Sequence, residues 1–486
     1  MKISREEEFK ACVVKIIVDN IDYNWFKPHK TLNDYQSSGS GFFIDNKGTI
    51  LTCFHVIQGS IKIWITIPQQ GKKRYEAEII SSCPISDLAL IKVKDLKNEK
   101  FLTVKEVDTD GSKEVYAVGY PLGSDNIKTS SGIISGMEGY HLQIDAPINE
   151  GNSGGPLIRK CEDCSLEVIA INSSKVTNAD NIGYAIPTNI FLSIKDLMYK
   201  KTKIIYRPEL LTWFSKSNQY TLQFLDCKDD CQSGLYITHI LKKSPLFQVG
   251  LNVGDILCKF DNMKIDNFGE CYLESMKERI PLHDLLQFYT IDQKVDIEFW
   301  NSKLKKIIKK EIILSQGNNF YSIRKKYPSL ESVDYKIFGG MVIMELTLNH
   351  IDLLKRTDFD LSNIVNLANY QKKKNRITPV VFISHIFPGS IISSSESIFP
   401  GSIITKINNQ TITSLESFKF NCNKIIKKDN KDYFILETDN YNKIILDYNK
   451  LGEEKKFLNS KYKINDDDES NSIPNKYEII YEIRIS

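Results

Sequence analysis

The sequence predicts a mainly β protein: a double β-barrel followed by two α+β domains. Chain length, strand spacing and a change of pattern near residue 205 carry the prediction. A chain of 486 residues exceeds what one core organises and calls for about three domains. Residues 11 to 105 alternate short apolar runs with turns. Val13 to Val18, Gly41 to Ile44, Ile50 to Cys53, Ile61 to Ile67, Tyr75 to Ile80 and Leu88 to Val93 are rich in β-branched residues. Gly, Asn, Asp or Pro bound them, as in barrel strands. A second set runs from Val115 to Ile186. Thr188 is expected to cap a helix reaching about Met198, and Lys200, Lys201 and Lys203 close the domain near residue 204.

The segment Asn149-Glu150-Gly151-Asn152-Ser153-Gly154-Gly155-Pro156 reads as a nucleophilic serine in a glycine turn. Gly151, Gly154 and Gly155 let the backbone bend and leave room for a substrate carbonyl. The N–H groups of Gly151 and Ser153, with that of Asn152 nearby, are candidate donors to an oxyanion. Two partners stand upstream: an imidazole in Thr52-Cys53-Phe54-His55-Val56 and a carboxylate in Ser86-Asp87-Leu88-Ala89-Leu90. Hydroxyl, base and orienting carboxylate are the three roles of acyl transfer. His55 and Asp87 fall in the first strand set and Ser153 in the second, so the site is expected in the crevice between two barrels.

The order His55, Asp87, Ser153 is that of the chymotrypsin-like double barrels. Ser38-Gly39-Ser40-Gly41-Phe42, Asp87-Leu88-Ala89-Leu90, Val118-Gly119-Tyr120-Pro121-Leu122-Gly123, Asp145-Ala146-Pro147-Ile148-Asn149 and Ile182-Gly183-Tyr184-Ala185-Ile186-Pro187 resemble the HtrA/Deg serine proteases. The resemblance covers residues 10 to 200. It implies an ATP-independent serine endopeptidase acting on unfolded or damaged protein, without metal or organic cofactor. It also implies homotrimers or larger assemblies, for which Tyr23, Trp25 and Phe26 are candidate contacts, aromatic packing within one chain being the alternative. Ile148 is expected at the S1 wall and favours a small apolar P1 residue; Ser173-Ser174-Lys175-Val176 is expected to form another wall, in which Lys175 departs from the apolar pattern. The loop Met137 to His141 is shorter than the family's sensor loop.

Residues 205 to 318 resemble a PDZ domain through Gly234-Leu235-Tyr236-Ile237, Ser244-Pro245-Leu246, Gly250-Leu251 and Gly254-Asp255-Ile256-Leu257. Pro281, Leu282, Leu285, Leu286 and Phe288 mark an amphipathic helix. A second PDZ-like copy is placed at 319 to 455, with Ser402 where the first has Asp255. In it Phe338, Gly339, Gly340 and Met341 form either a plain hairpin turn or a cradle for a peptide C-terminus or strand. Two such units give the layout of plant-type Deg proteases. A polar tail with a terminal strand occupies 456 to 486.

A net charge of +3 points to no polyanion partner, so no nucleic acid is expected. Lys303 to Lys310 are read as the solvated face of a strand pair. No apolar run approaches a membrane span. The acidic N-terminus lacks the marks of a signal or transit sequence, and an intracellular, cytoplasmic or nuclear home is expected, an organelle remaining open. Cys161/Cys164 and Cys227/Cys231 are read as polar turns with reduced thiols, half a zinc site each being the alternative. Two other function classes stay open: a chaperone or scaffold with vestigial cleavage, and a peptide-binding adaptor. An intact triad speaks against both.

Overall fold

The computed structural model describes the chain except residues 1–8, 68–69, 95, 97, 99, 108–113, 161–165, 176–181, 201, 228–230, 356–364, 396, 463–477 and 484–486. It divides into two units, one of residues 1–20 and 34–318, the other of 21–33 and 319–486.

In the first unit β1 (Val13–Tyr23), β2 (Thr31–Phe43), β3 (Thr49–Cys53), β4 (Ser60–Thr66), β5 (Arg74–Cys83) and β6 (Leu88–Val93) close a barrel in the order β1-β2-β3-β6-β5-β4. A second barrel holds β7 (Glu114–Gly119), β8 (Lys128–Glu138), β9 (His141–Ile144), β10 (Pro156–Lys160), β11 (Leu166–Lys175) and β12 (Gly183–Pro187). Closure leaves no unpaired edge. Inward residues such as Ile16, Leu51, Leu90, Val115, Leu157 and Ile171 are fully buried. One short helix, α1 (Phe54–Ile57), follows β3, and α2 (Thr188–Tyr199) follows β12. Thr188 lies inside α2 and is not its cap. Its hydroxyl turns back to the carbonyls of Lys105 and Ile169, because the helix starts directly from the buried end of β12.

The first PDZ-like domain belongs to this same unit. Its sheet runs β13 (Thr212–Lys216), β14 (Leu235–Ile240), β15 (Ile256–Phe260), β19 (Lys294–Asn301), β20 (Lys306–Ile313), with β16 (Met263–Lys264) beside β15. A hairpin, β17 (Glu270–Leu273) and β18 (Glu278–Pro281), leads into the short helix α3 (Leu282–Leu285). Met276 at the hairpin tip is fully buried in the core of the second barrel. The β20 lysines face solvent, and Lys309 pairs with Glu298. Cys231 is not a free thiol: it is joined to Cys258, while Cys227 stays unpaired beside them. Cys161 and Cys164 lie outside the described residues.

The second unit has a sheet of β21 (Tyr335–Phe338), β22 (Met341–Glu345) and β23 (Val381–Ile386). A second sheet holds β24 (Ile404–Ile407), β25 (Gln410–Thr411), β26 (Lys424–Lys428), β27 (Lys431–Thr438), β28 (Lys443–Asp447) and β29 (Glu478–Ile483). The expected terminal strand is β29, attached parallel to β26. Helices α4 (Leu348–Leu354), α5 (Leu415–Asn421) and α6 (Tyr448–Tyr462) complete the unit. Its kinship with the first PDZ-like domain is visible in the backbone. Gly254 donates to Ile237 and Ile237 to Asp255; equivalently, Gly401 donates to Ile383 and Ile383 to Ser402.

Residues 21–33, the tip of the hairpin between β1 and β2, fold with this second unit. Trp25 packs edge-on against His350, and His350 Nε2–H donates to the Trp25 carbonyl at 2.9 Å. The Ser384 hydroxyl donates to the Phe26 carbonyl. The expectation that Tyr23, Trp25 and Phe26 are intersubunit contacts is therefore corrected: they pack on His350, Phe382 and their neighbours in one chain.

Candidate active site

Strands β3 and β6 pair antiparallel with Cys53 opposite Leu88. That register places His55, just past the end of β3, beside Asp87, just before β6. His55 Nδ1–H donates to Asp87 Oδ2 at 2.7 Å, and the His55 backbone N–H donates to Oδ1 at 2.8 Å. A carboxylate only accepts, which fixes the tautomer: Nδ1 carries the proton and Nε2 is left basic. Ser173 Oγ adds a third hydrogen bond to Oδ2 at 3.1 Å. Asp87 has φ 53, left-handed backbone that aspartate tolerates better than most residues. Its carbonyl is tied down by Phe54 N–H.

Burial alone would lower the His55 pKa. The Asp87 carboxylate, through its hydrogen bond and its charge, outweighs burial and holds His55 above its ordinary value. Cys53 lies close enough that its sulfur, His55 and Asp87 could all face one ion. The donor set does not suit a metal. Burial pushes the Cys53 thiol far up, so it stays protonated, and its S–H points to the Asn172 carbonyl. His55 Nδ1 is already committed to Asp87.

Ser153 stands in the turn before β10. Gly154 N–H donates to the Asn172 carbonyl at 2.7 Å and Asn172 N–H donates to the Gly155 carbonyl at 2.9 Å, which fastens the turn to β11. Gly154 has φ 83, and a Cβ there would stand 2.1 Å from Thr52 Oγ1, so only glycine fits. The Glu150 carbonyl accepts from Leu122 N–H at 2.5 Å. In a trans peptide the N–H of Gly151 points the opposite way, away from that loop. Among the described residues the Gly151 and Ser153 amides have no hydrogen-bond acceptor, as an oxyanion hole requires. Asn152 departs from expectation: its N–H closes a turn onto the Asn149 carbonyl at 3.0 Å and is not free for an oxyanion.

The Ser153 hydroxyl donates to the Ser173 carbonyl at 2.6 Å. In this resting geometry it is turned away from the base it would serve. Ser173 thus touches both the nucleophile and Asp87. The sequence reading saw it only as part of a pocket wall. Its signal, one serine in the polar run Asn172-Ser173-Ser174 at the end of the strand, is weak by itself.

Ile148 is buried in the second barrel's core and packs against Gly183. Lys175 pairs with Gly183 through the backbone; its side chain lies outside the described residues. The β8–β9 turn at Gly139 and Tyr140 is only a tight hairpin. Phe338, Gly339, Gly340 and Met341 do not form an open cradle. Gly339 (φ 54) and Gly340 (φ 72) make a tight turn in which β21 folds back on β22. β23 covers the other side of β22, so β22 has no free edge for a peptide. Phe338 and Met341 are buried against Phe418, Phe434 and Leu451. The paired glycines serve the hairpin and the close approach of Ser390, 2.3 Å from a Cβ at Gly340.

Residues 39–171 match the trypsin-like peptidase domain, and residues 326–471 match the PDZ domain. The putative mitochondrial protease Do-like 3 of Arabidopsis thaliana is 27% identical over 83% of this chain and 70% of its own length. Putative protease Do-like 14 of the same plant is 31% identical over 50% of this chain and 59% of its own length. The periplasmic serine endoprotease DegP of Escherichia coli K12 is 30% identical over 48% of this chain and 50% of its own length. The chain thus spans only about half the length of DegP. Among solved structures, the HtrA-type protease AlgW with a decapeptide gives a TM-score of 0.47 at 21% identity, over 63% of this chain and 95% of that one. The expectation of a cytoplasmic or nuclear home is overturned, since these relatives are named mitochondrial and periplasmic. No helix among the described residues is long and apolar enough to cross a membrane.

Proposed function

Because the chain belongs to the HtrA/Deg family of serine endoproteases, we propose that it cleaves unfolded or damaged polypeptide without ATP, through His55, Asp87 and Ser153. The observation that carries the reading is the His55–Asp87 pair, with Nδ1 bound to the carboxylate and Nε2 left basic. The reading requires Ser153 Oγ to rotate from the Ser173 carbonyl to Nε2. His55 then takes the proton as Oγ attacks the scissile carbonyl, and the Gly151 and Ser153 amides receive the oxyanion. Asp87 stays ionised, holding the tautomer and stabilising the imidazolium. His55 returns the proton to the leaving amine, and water releases the acyl group by the same steps.

Ile148 is proposed to border the P1 side chain, with Lys175 on a second wall. Partners are unfolded chains, peptide C-termini or strands at the first PDZ-like domain, and further copies of this chain in a homotrimer or larger assembly. A monomer mass by light scattering would contradict the trimer. The catalytic reading is tested with purified protein and casein. Wild type should degrade casein without nucleotide, and Ser153→Ala should lower turnover by about a millionfold, as triad removal does in other serine hydrolases. Equal casein turnover by the two proteins refutes it.

A further inference from the structure

One face of the first unit carries a cavity of about 550 Å³ that the catalytic reading leaves unused. Its floor is apolar, with Ile17, Ile67 and Tyr120 buried. Its charged groups are Lys15, Lys72, Arg74 and Asp125, three cations to one anion. Lys15 is nearly buried, its side chain 12% exposed, and its ammonium donates to the Gly123 carbonyl at 2.5 Å. Asp125, at the mouth and 70% exposed, lies 3.4 Å from Lys15 and 3.3 Å from Lys72. Arg74 has no carboxylate within ion-pair distance among the described residues. Asp19, whose oxygens accept from Gln36 and Trp64, is a nearby carboxylate beyond ion-pair distance. One carboxylate shared by two lysines leaves the cavity's lining net positive, with Arg74 unpaired among the described residues and the exposed Lys72 able to exchange Asp125 for a ligand.

The cavity also shares its rim with the catalytic turn. Ser38, Tyr120 and Gly123 line it. Ser38 precedes Gly39, whose Cβ would stand 3.3 Å from the Ser153 carbonyl, and a Cβ on Gly151 would meet the Tyr120 carbonyl at 2.2 Å. None of its walls comes from Ile148, β11 or β12, which border the acyl side. Under the catalytic reading, a chain threaded past Ser153 with its acyl half toward β11 and β12 has its leaving-group half on the side of Ser38 and Tyr120, where this cavity opens. We propose that the cavity is a primed-side specificity site for an acidic residue, Asp or Glu at P2′ or P3′, held by Arg74 and Lys72 with Lys15 behind them. The site rests on the serine-endopeptidase reading and adds to it the substrate class that reading lacks.

The test uses full-length protein and internally quenched peptides with one small apolar P1 residue, varied at P1′ to P4′ among Glu, Gln and Lys. Fluorophosphonate labelling of Ser153 is measured in parallel. A partly exposed charge pair is worth about fivefold. Glu at P2′ or P3′ should therefore raise kcat/KM by about fivefold over Gln, Lys should lower it, and high salt should shrink both effects. In the double variant Lys72→Glu/Arg74→Glu the order of Glu and Lys should invert. Equal kcat/KM for all peptides in a labelled, active enzyme overturns the site, as does a Glu preference that survives the double variant. A protein that neither labels nor cuts any peptide overturns the catalytic reading itself, and the site with it.

Discussion

The proposed nucleophile and base are held apart: Ser153 donates to the Ser173 carbonyl while His55 Nδ1 is locked on Asp87. The cost of leaving that contact is one hydrogen bond, a net of about 1 kcal/mol, which substrate binding can offset. The electrostatics of His55 give a second prediction. Asp87 raises its pKa against the pull of burial. The catalytic base must be neutral, so kcat/KM should fall as pH drops through that raised value. Asp87→Asn removes the raising influence and leaves burial, so the acid limb should move to lower pH. Turnover should drop by roughly four orders of magnitude through loss of the correct tautomer. A pH profile with an unmoved acid limb would mean that another group sets the His55 pKa. The pairing of His55 with Asp87 and the glycine turn around Ser153 were legible in the sequence because each residue sits in a short, specific motif. Ser173 and the closed Asn152 amide were not, since both depend on which way a backbone group points.

Among the elements, the loop before β6 is braced from outside its barrel. Arg207 is fully buried and donates through Nε to Ser86 Oγ at 2.7 Å, with its other nitrogens on Ser193, Ile190 and Tyr289. Ser86 Oγ in turn donates to Gln287 Oε1 of the PDZ-like domain. Asp87 is the next residue. Ser86→Ala strands a buried guanidinium N–H, at a cost of about 1–3 kcal/mol, and loosens the left-handed Asp87 backbone. Its melting temperature and its kcat should both fall. A lowered melting temperature with unchanged kcat would show that the brace serves stability alone. The hairpin of β21 and β22 gives a contrasting case. A double glycine reads equally as a ligand cradle or as a tight turn, and only the pairing of β22 on both sides decides between them. Gly340→Val puts a β-branched side chain at φ 72 and against Ser390. It should destabilise the second unit by about 2 kcal/mol or more, read by denaturant unfolding. Unchanged unfolding would mean that the turn is freer than its geometry. The barrel strands were legible from alternation and turn residues. The fate of residues 21–33 was not, because their aromatic side chains look the same whether a neighbouring subunit or the same chain covers them.

For the whole molecule, three histidines make the second unit acid-sensitive. Burial holds His350 down to about 3, and His29 and His385 to about 4. Unfolded, each takes up a proton near its ordinary value of 6.5. Below that value the unfolded chain binds more protons than the folded one, so stability falls as pH drops from about 6.5 towards 4. Thermal unfolding should show a transition that moves to lower temperature over that window. A transition that stays fixed would mean that the three rings are solvated. The catalytic claim is independent of this and has one most direct test: labelling of the intact protein with a fluorophosphonate, which reacts only with a serine activated by its base and oxyanion donors. One label per chain is expected, located on Ser153 by peptide mass spectrometry, with labelling lost in Ser153→Ala and strongly slowed in His55→Ala. A wild-type protein that folds and does not label, or one that labels at another serine, would contradict the catalytic claim.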